Sequence, residues 1–128
     1  MSKQLYSSGS PYEKVIGFSR AVKFGNIIAV AGTGPIAPDG TTASVGDAYG
    51  QAKRCLEIIK NVIEEAGGKL ENVIRTRMYI TDVTVQDEVG RAHGDYFSSI
   101  RPAATMVVVK GLVREEWFVE IEADCMLD

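Results

Sequence analysis

The sequence of 128 residues has few of the residues that mark disulfide-rich, metal-binding or membrane proteins. Its two cysteines, Cys55 and Cys125, lie in strongly patterned segments without a CxxC motif. We therefore expect two small buried side chains, and neither a disulfide framework nor a zinc site. The longest apolar run, Ile27 to Ala31, is far shorter than the ~20 residues that span a bilayer. No apolar stretch resembling a signal peptide follows Met1, so a cytoplasmic protein without a membrane partner is expected.

Basic residues are also too few for a typical nucleic-acid binder. The chain has 14 lysines and arginines against 17 aspartates and glutamates, a formal charge of -3 and a pI near 5.2. Because proteins that neutralise phosphates usually carry a basic face, no nucleic-acid partner is expected. The hydrophobic fraction of 45% and the charged fraction of 24% are those of an ordinary packed protein. The length predicts a single domain over residues 1–128.

Two strand-forming segments flank a tight turn in the first quarter of the chain. Arg20 to Phe24 and Ile27 to Gly32 surround Gly25-Asn26, a pattern that predicts an antiparallel hairpin. The second segment is apolar throughout, so one of its faces should be covered by helices and the other by a further surface. That requirement is the first indication of self-association. Residues 32–40 are dense in turn formers and predict a loop.

Two later segments have the periodicity of amphipathic helices. The first begins at Asp47, with Ser44 and Asp47 as a capping box and glycines at positions 67 and 68 as its end. For the second helix, Thr84 is the predicted cap and Pro102 the end. The predicted apolar stripes are Ala48, Ala52, Cys55, Ile59, Val62 and Ala66 in the first helix, and Val85, Val89, Ala92, Tyr96 and Ile100 in the second.

The remaining segments alternate with the two-residue period of strands. Three are predicted, Val73 to Ile80, Ala104 to Val109 and Phe118 to Met126. The whole order of elements predicts an α+β fold of two layers, with the helices on one side of the sheet. The face toward the helices should carry Ile74, Thr76, Met78, Ile80, Val119, Ile121 and Ala123. The opposite face, which needs a partner, should carry Arg75, Arg77, Tyr79, Phe118, Glu120, Glu122 and Asp124.

Several of these segments resemble the RidA/YjgF family. They are Ser10-Pro-Tyr, Val30-Ala-Gly-Thr, Arg75-Thr-Arg-Met-Tyr-Ile-Thr-Asp, Arg101-Pro-Ala and Val119-Glu-Ile-Glu-Ala, and the match runs from near the N-terminus to Asp128. The resemblance implies a chorismate-mutase-like fold, a six-stranded mixed sheet with two helices on one face. It also implies a homotrimer around a central barrel, with clefts for a small metabolite between subunits. No cofactor or metal is implied.

The resemblance assigns roles to two positions. In RidA, an arginine of the Pro-Ala-Arg motif binds the substrate carboxylate, and a glutamate of the final strand helps to position the water that hydrolyses enamines or imines. Here Glu120 matches the glutamate, but Ala104 stands where the arginine would be. A methyl group cannot replace a bidentate, charge-assisted clamp on a carboxylate. The chain therefore resembles the arginine-lacking branches of the family, and a specificity different from that of RidA is expected.

Further positions are candidates for contact with a ligand. Arg75 and Arg77 could replace the missing anchor, or they could form salt bridges to Glu120 or Glu122 that hold the trimer. The single histidine, His93, could serve in acid–base chemistry or pack beside the apolar stripe of the second helix. The remaining candidates for the cleft wall, with turn formation and packing as the alternative, are Gly32, Thr33, Tyr12 and Phe18.

Three functions remain in competition. The first is an enzyme that adds water or moves a double bond at a C=N or C=C bond of a small metabolite, as an enamine or imine deaminase or hydrolase, with Glu120 as the acid or base. The second is a non-catalytic trimer that binds or senses a ligand, which Ala104 favours. The third is the endoribonuclease or translation-inhibitor activity attached to parts of the family. The acidic pI and the absence of a histidine pair argue against it.

Overall fold

A computed structural model describes residues 2–128 and contains one sheet with two helices packed on it. The strands are β1 (Lys3–Tyr6), β2 (Ala21–Phe24), β3 (Ile27–Thr33), β4 (Val73–Ile80), β5 (Ala103–Val108) and β6 (Val119–Met126). The helices are α1 (Ala48–Glu65) and α2 (Gln86–Phe97). Shorter helical turns cover Glu13–Gly17, Leu70–Asn72 and Val83–Val85.

The six strands run in the order β1-β2-β3-β6-β4-β5. All neighbours are antiparallel except β4 and β5, which are parallel, so the sheet is mixed. This arrangement confirms the expected α+β fold of two layers. The pattern alone predicted five strands and missed β1. Its residues are exposed or only half-buried at the sheet edge, so β1 has no buried face to leave a hydrophobic alternation in the sequence.

The core lies between the sheet and the two helices. Along β6, Val119, Ile121, Ala123 and Cys125 are all buried, which confirms the predicted alternation. The apolar stripe of α1 is buried as predicted, and both cysteines are free thiols inside the core. Burial raises the pKa of both thiols, because a thiolate is poorly solvated there. The two cysteines therefore contribute packing rather than reactivity.

Both predicted helix caps are wrong by a few residues. Asp47 itself caps α1, since its carboxylate accepts a hydrogen bond from the Gly50 amide, while Ser44 lies outside the helix with a φ of 50°. The turn Val83–Val85 precedes α2, and Asp82 caps that turn by accepting from the Thr84 amide. An intervening short turn of this kind leaves no trace in the apolar periodicity. The second helix ends at Phe97, well before Pro102.

A β-bulge in β4 overturns the predicted orientation of Ile74. Val73 pairs with Cys125 and Arg75 pairs with Asp124, so two positions of β4 advance against one of β6. As a result Ile74 is 49% exposed, and alternation resumes only from Thr76. The strands β5 and β6 begin within one residue of the predicted positions.

A membrane-spanning helix is not found within residues 2–128, since neither α1 nor α2 combines the required length and apolarity.

The packing of Trp117 generates a stability prediction. The indole is buried, donates to Thr42 Oγ1 at 3.1 Å, and lies directly over the hydrogens of Gly34, where a methyl group would overlap the ring. We expect Gly34→Ala to lower the free energy of unfolding by roughly 1–3 kcal/mol, measured by urea denaturation. Gly90→Ala is the matched control, because it adds a methyl group in open space within α2 and should raise stability by about 0.5–1 kcal/mol. Equal stability of the two variants would contradict this packing.

Candidate functional site

The sheet face opposite the helices carries a charged cluster on its two central strands. Arg77 of β4 lies 3.3 Å from Asp124 and 3.6 Å from Glu122 of β6. The hydroxyl of Tyr79 donates to Glu122 at 2.6 Å, and this bond raises the pKa of the tyrosine. Arg77 is therefore engaged by two carboxylates and does not pair with Glu120. The side chain of Arg75 is exposed and makes no hydrogen bond or ion pair to any of residues 2–128.

Glu120 occupies a different position on this face, against the backbone of β3. Its carboxylate fills the space that a Cβ at position 32 would need, so a side chain there would force the carboxylate to move. The pairing of β3 with β6 shifts register between Val30 and Thr33, which is where the approach occurs. Gly32 and Glu120, both predicted from the resemblance, are thus brought together by one strand pair.

A buried arginine that sequence reasoning overlooked connects this pair to other predicted residues. Arg20 is only 6% exposed, and its Nη1 donates to the Gly32 carbonyl at 2.6 Å and to Thr33 Oγ1 at 3.1 Å. Its guanidinium carbon lies 5.4 Å from the centre of the Phe18 ring. The signal was present in the sequence, since Arg20 is a charged residue next to an apolar strand, and such a charge is buried only when it is paired.

The proton affinity of Glu120 is set by this environment. Burial raises the pKa of the carboxyl, Arg20 pulls it down, and the nearby charge of Glu122 raises it again. The net direction is upward. A carboxyl shifted in this direction holds a proton more readily than an exposed glutamate, which suits a group that takes a proton from water and passes it on.

Tyr12 and Thr33 line a separate cleft, which Arg20 also lines. This cleft has a volume of about 350 Å³ and is bounded by the segment 8–12, the loop 33–40, α1 and Arg114. Tyr12 is exposed and Thr33 is buried. Glu120 does not line this cleft.

Ala104 and His93 lie away from Glu120 within the chain. Ala104 pairs with Thr76 in the parallel ladder of β4 and β5, and the Thr76 hydroxyl is hydrogen-bonded to His93 Nε2 at 2.8 Å. The His93 ring packs 4.7 Å from that of Phe97. Burial lowers the pKa of His93 and so favours the neutral imidazole. Within one chain, Ala104 and His93 therefore lie on the side of the sheet toward the helices, opposite Glu120, while Tyr12 and Thr33 line the separate cleft.

Metal ligands are not assembled in the part of the chain that the structure describes. Within residues 2–128, no three His, Cys, Asp or Glu side chains converge as a metal site would require. The chemistry available from the described residues is that of carboxylates, guanidiniums, hydroxyls and one imidazole.

The fold and this site define a class of two-layer α+β proteins, with a mixed six-stranded sheet and a carboxylate of the central strand set against a glycine. The family model described as Endoribonuclease L-PSP matches residues 10–126. The chain belongs to this family, the YjgF/RidA family, as the sequence motifs predicted.

Individual relatives agree with this membership. An uncharacterized protein of Streptomyces coelicolor is 39% identical over 117 residues, which cover 91% of this chain and 87% of the relative. The 3-aminoacrylate deaminase RutC of Acinetobacter baylyi is 34% identical over 101 residues, or 79% of each chain. The crystal structure of a YjgF-family protein from Mycobacterium tuberculosis is similar, with a TM-score of 0.88 and 39% identity over 98% of this chain and 100% of that one.

The raised pKa of Glu120 predicts how Glu120→Gln changes stability. An ionised carboxylate that folding desolvates destabilises the folded state above the ordinary glutamate pKa of 4.5, and an amide removes that cost. We expect a higher Tm for the variant at neutral pH. The difference should shrink as the pH falls and vanish below about 4.5, where the carboxyl holds its proton in both folded and unfolded states.

Thermal unfolding followed by circular dichroism from acid to neutral pH measures this difference. Glu122→Gln is the matched control on the same strand and face, and it should lower the Tm because Glu122 accepts from Tyr79 and pairs with Arg77. A lower Tm for Glu120→Gln than for the unaltered protein at neutral pH would show that Glu120 is held by a favourable interaction rather than merely desolvated.

Proposed function

We propose that this protein is an enamine or imine deaminase that acts on a small metabolite in clefts between the subunits of a homotrimer, with Glu120 as the acid or base. The observation that carries the proposal is the approach of the Glu120 carboxylate to Gly32, in a half-buried position beside the fixed cation of Arg20. The related deaminase RutC of Acinetobacter baylyi supports the class of reaction.

The exposed surface supports a trimer. The sheet face opposite the helices has no cover within the chain, and its strands expose large apolar side chains. The strand register places these apolar side chains on the same face as Glu120 and Arg77. The residues are Leu5, Phe24, Ile27, Val107 and Met126. Apolar residues around a charged centre are typical of a surface buried on association. Because most soluble oligomers are symmetric assemblies of identical chains, further copies of this chain are the expected partners of this face.

Association would also explain why the predicted site is divided. In one chain Glu120, Gly32 and Thr33 are remote from Ala104 and His93, and β5, which carries Ala104, is an edge strand. A neighbouring copy could bring its β5 edge to the Glu120 group. The cleft would then contain the Glu120 carboxylate of one subunit and the region around Ala104 of the next subunit.

The proposed reaction needs only water and the carboxyl group. Glu120 accepts a proton from a water molecule, whose oxygen bonds to the carbon of the C=N group. The proton then passes from Glu120 to nitrogen, which gives a carbinolamine; an enamine would first take a proton on carbon and lose one from nitrogen to become the imine. The hydroxyl proton of the carbinolamine is transferred through Glu120 to nitrogen, the C–N bond breaks, and a carbonyl compound and ammonia leave. Glu120 ends the cycle in its starting protonation state. A raised pKa suits both halves of this transfer.

Ala104 predicts a substrate that does not depend on a carboxylate clamp at that position. The residue has an exposed methyl group on the edge strand, and Arg77, one of the two arginines predicted to replace the clamp, is already bound by Glu122 and Asp124. Of the predicted replacements, only Arg75 keeps all of its donors unpaired within residues 2–128. A non-catalytic, ligand-binding trimer is the second candidate, and Ala104 is the observation that favours it.

Ammonia release from 2-iminobutyrate and from 3-aminoacrylate, both generated in situ, tests the proposal. We expect Glu120→Gln to lower the rate roughly 100-fold, the scale of acid–base catalysis, while Glu122→Gln on the same face keeps most of it. Ala104→Arg should raise the rate on the imino acid roughly tenfold or more by restoring a charge-assisted clamp. Release that is insensitive to Glu120→Gln would exclude Glu120 as the acid or base, and no release by any variant would favour the binding function instead.

The oligomeric state is tested separately by analytical ultracentrifugation. We expect a trimer that persists at micromolar concentration. Introducing a charge on the uncovered face with Ile27→Asp should shift it toward monomers, because an unpaired carboxylate would be buried in the interface. Val15→Asp, at an apolar residue outside the sheet that is more exposed than Ile27, is the control. A stable monomer of the unaltered protein would refute the shared cleft.

A further inference from the structure

Three arginines converge on the cleft next to the N-terminal segment. Arg20 precedes β2, Arg54 belongs to α1, and Arg114 lies in the loop before β6. All three line the same cleft of about 350 Å³, which is within the size range of pockets for small ligands. We call it the arginine cleft. It is separate from Glu120, which does not line it.

Each guanidinium is fixed by the protein and keeps donors to spare. Arg20 uses Nε and Nη1 in bonds to Ser8, Gly32 and Thr33. Arg54 donates from Nε to the Ile36 carbonyl at 2.6 Å, and Arg114 donates from Nη1 to Thr42 Oγ1 at 3.4 Å. Because a guanidinium has five N–H donors, each side chain retains at least two without a partner in residues 2–128.

No carboxylate among residues 2–128 forms an ion pair with the three arginines, and Glu13 and Glu120 act on Arg20 only from a longer distance. The ion pairs among residues 2–128 involve Lys53 and Arg77, and none involves an arginine of this cleft. Glu13 lies on the same side, but its Oε2 accepts from the Ser8 amide at 3.1 Å and from the Ser8 hydroxyl at 3.2 Å instead. Glu65 lines only the smaller neighbouring cleft. Three positive charges in one concave site repel each other, and an anion would relieve that repulsion.

The rest of the lining suits a small organic anion. Ile36, Pro38 and Ile58 give the cleft apolar walls, while Ser10 and Tyr12 add polar groups at the N-terminal side. Fixed guanidiniums match the planar, multi-oxygen geometry of carboxylate and phosphate groups. We propose that the arginine cleft is a second binding site, for a small ligand that carries a carboxylate or a phosphate group. This site goes beyond the proposed deaminase reaction and does not depend on it.

Isothermal titration calorimetry with inorganic phosphate and with citrate, at constant ionic strength, tests the site. We expect saturable binding of at least one anion to the unaltered protein, and the two arms distinguish phosphate from carboxylate chemistry. Arg54→Gln and Arg114→Gln should each weaken binding about tenfold or more, the scale of one charge-assisted hydrogen bond. Two variants are used because Arg114 also stacks on Trp117 and its loss could disturb the fold.

Two control variants test whether anion binding depends on the overall positive charge of the protein or on the Glu120 site. Lys60→Gln removes one positive charge from the same helix outside the cleft and should leave the affinity unchanged. Glu120→Gln removes a negative charge that acts on Arg20, so it should leave anion binding saturable and no weaker than in the unaltered protein, whatever its effect on ammonia release. Absence of saturable binding of both anions at millimolar concentration would overturn the proposal. So would binding that survives both arginine variants, or that Lys60→Gln weakens equally.

Discussion

The two faces of β6 impose the constraint on which the rest of the structure depends. This strand lies between β3 and β4, and its alternate residues point into a core where Val119 and Ile121 have no exposed surface. The two-residue period then forces the intervening acids to the opposite face, where water or another subunit must solvate them. Glu120 is the acid of this row that meets the backbone of β3, where Gly32 has no side chain to displace it. The candidate site thus follows from core packing on the other side of the same strand.

The one-sided cover of the sheet links this constraint to function. Both helices pack on one face, so the face with Glu120, Arg77 and exposed apolar residues is available for association. In the proposed trimer, that face would give one half of the site and the edge strand with Ala104 of a neighbouring copy would give the other. The proposed trimer would bury the exposed apolar residues of this face, and the same association would bring the two halves of the site together. The buried Arg20 would then connect the shared cleft to the arginine cleft, since it contacts Gly32 on one side and lines the second pocket on the other.

Sequence reasoning recovered the features that repeat over several residues. The apolar stripe of α1, the alternation of β6 and the hairpin of β2 and β3 all reflect burial of a whole face, and each extends over a long enough segment to be recognised. Features without such a repeat were not predicted. The bulge at Ile74, the Asp82 cap and the exposed edge strand β1 break or lack periodicity, because each depends on a neighbouring strand or turn rather than on its own segment.

The sequence by itself determined the family, the two-layer fold, and the placement of acids and arginines on one face of β4 and β6, because period and motif are local properties of the chain. Only the tertiary structure decided which charges meet. It paired Arg77 with Glu122 and Asp124, set Glu120 against Gly32, and gathered Arg20, Arg54 and Arg114 from three separate segments around one cleft. Such contacts join residues far apart in the chain, and the distance and burial that fix their energies exist only once the sheet has closed on its helices.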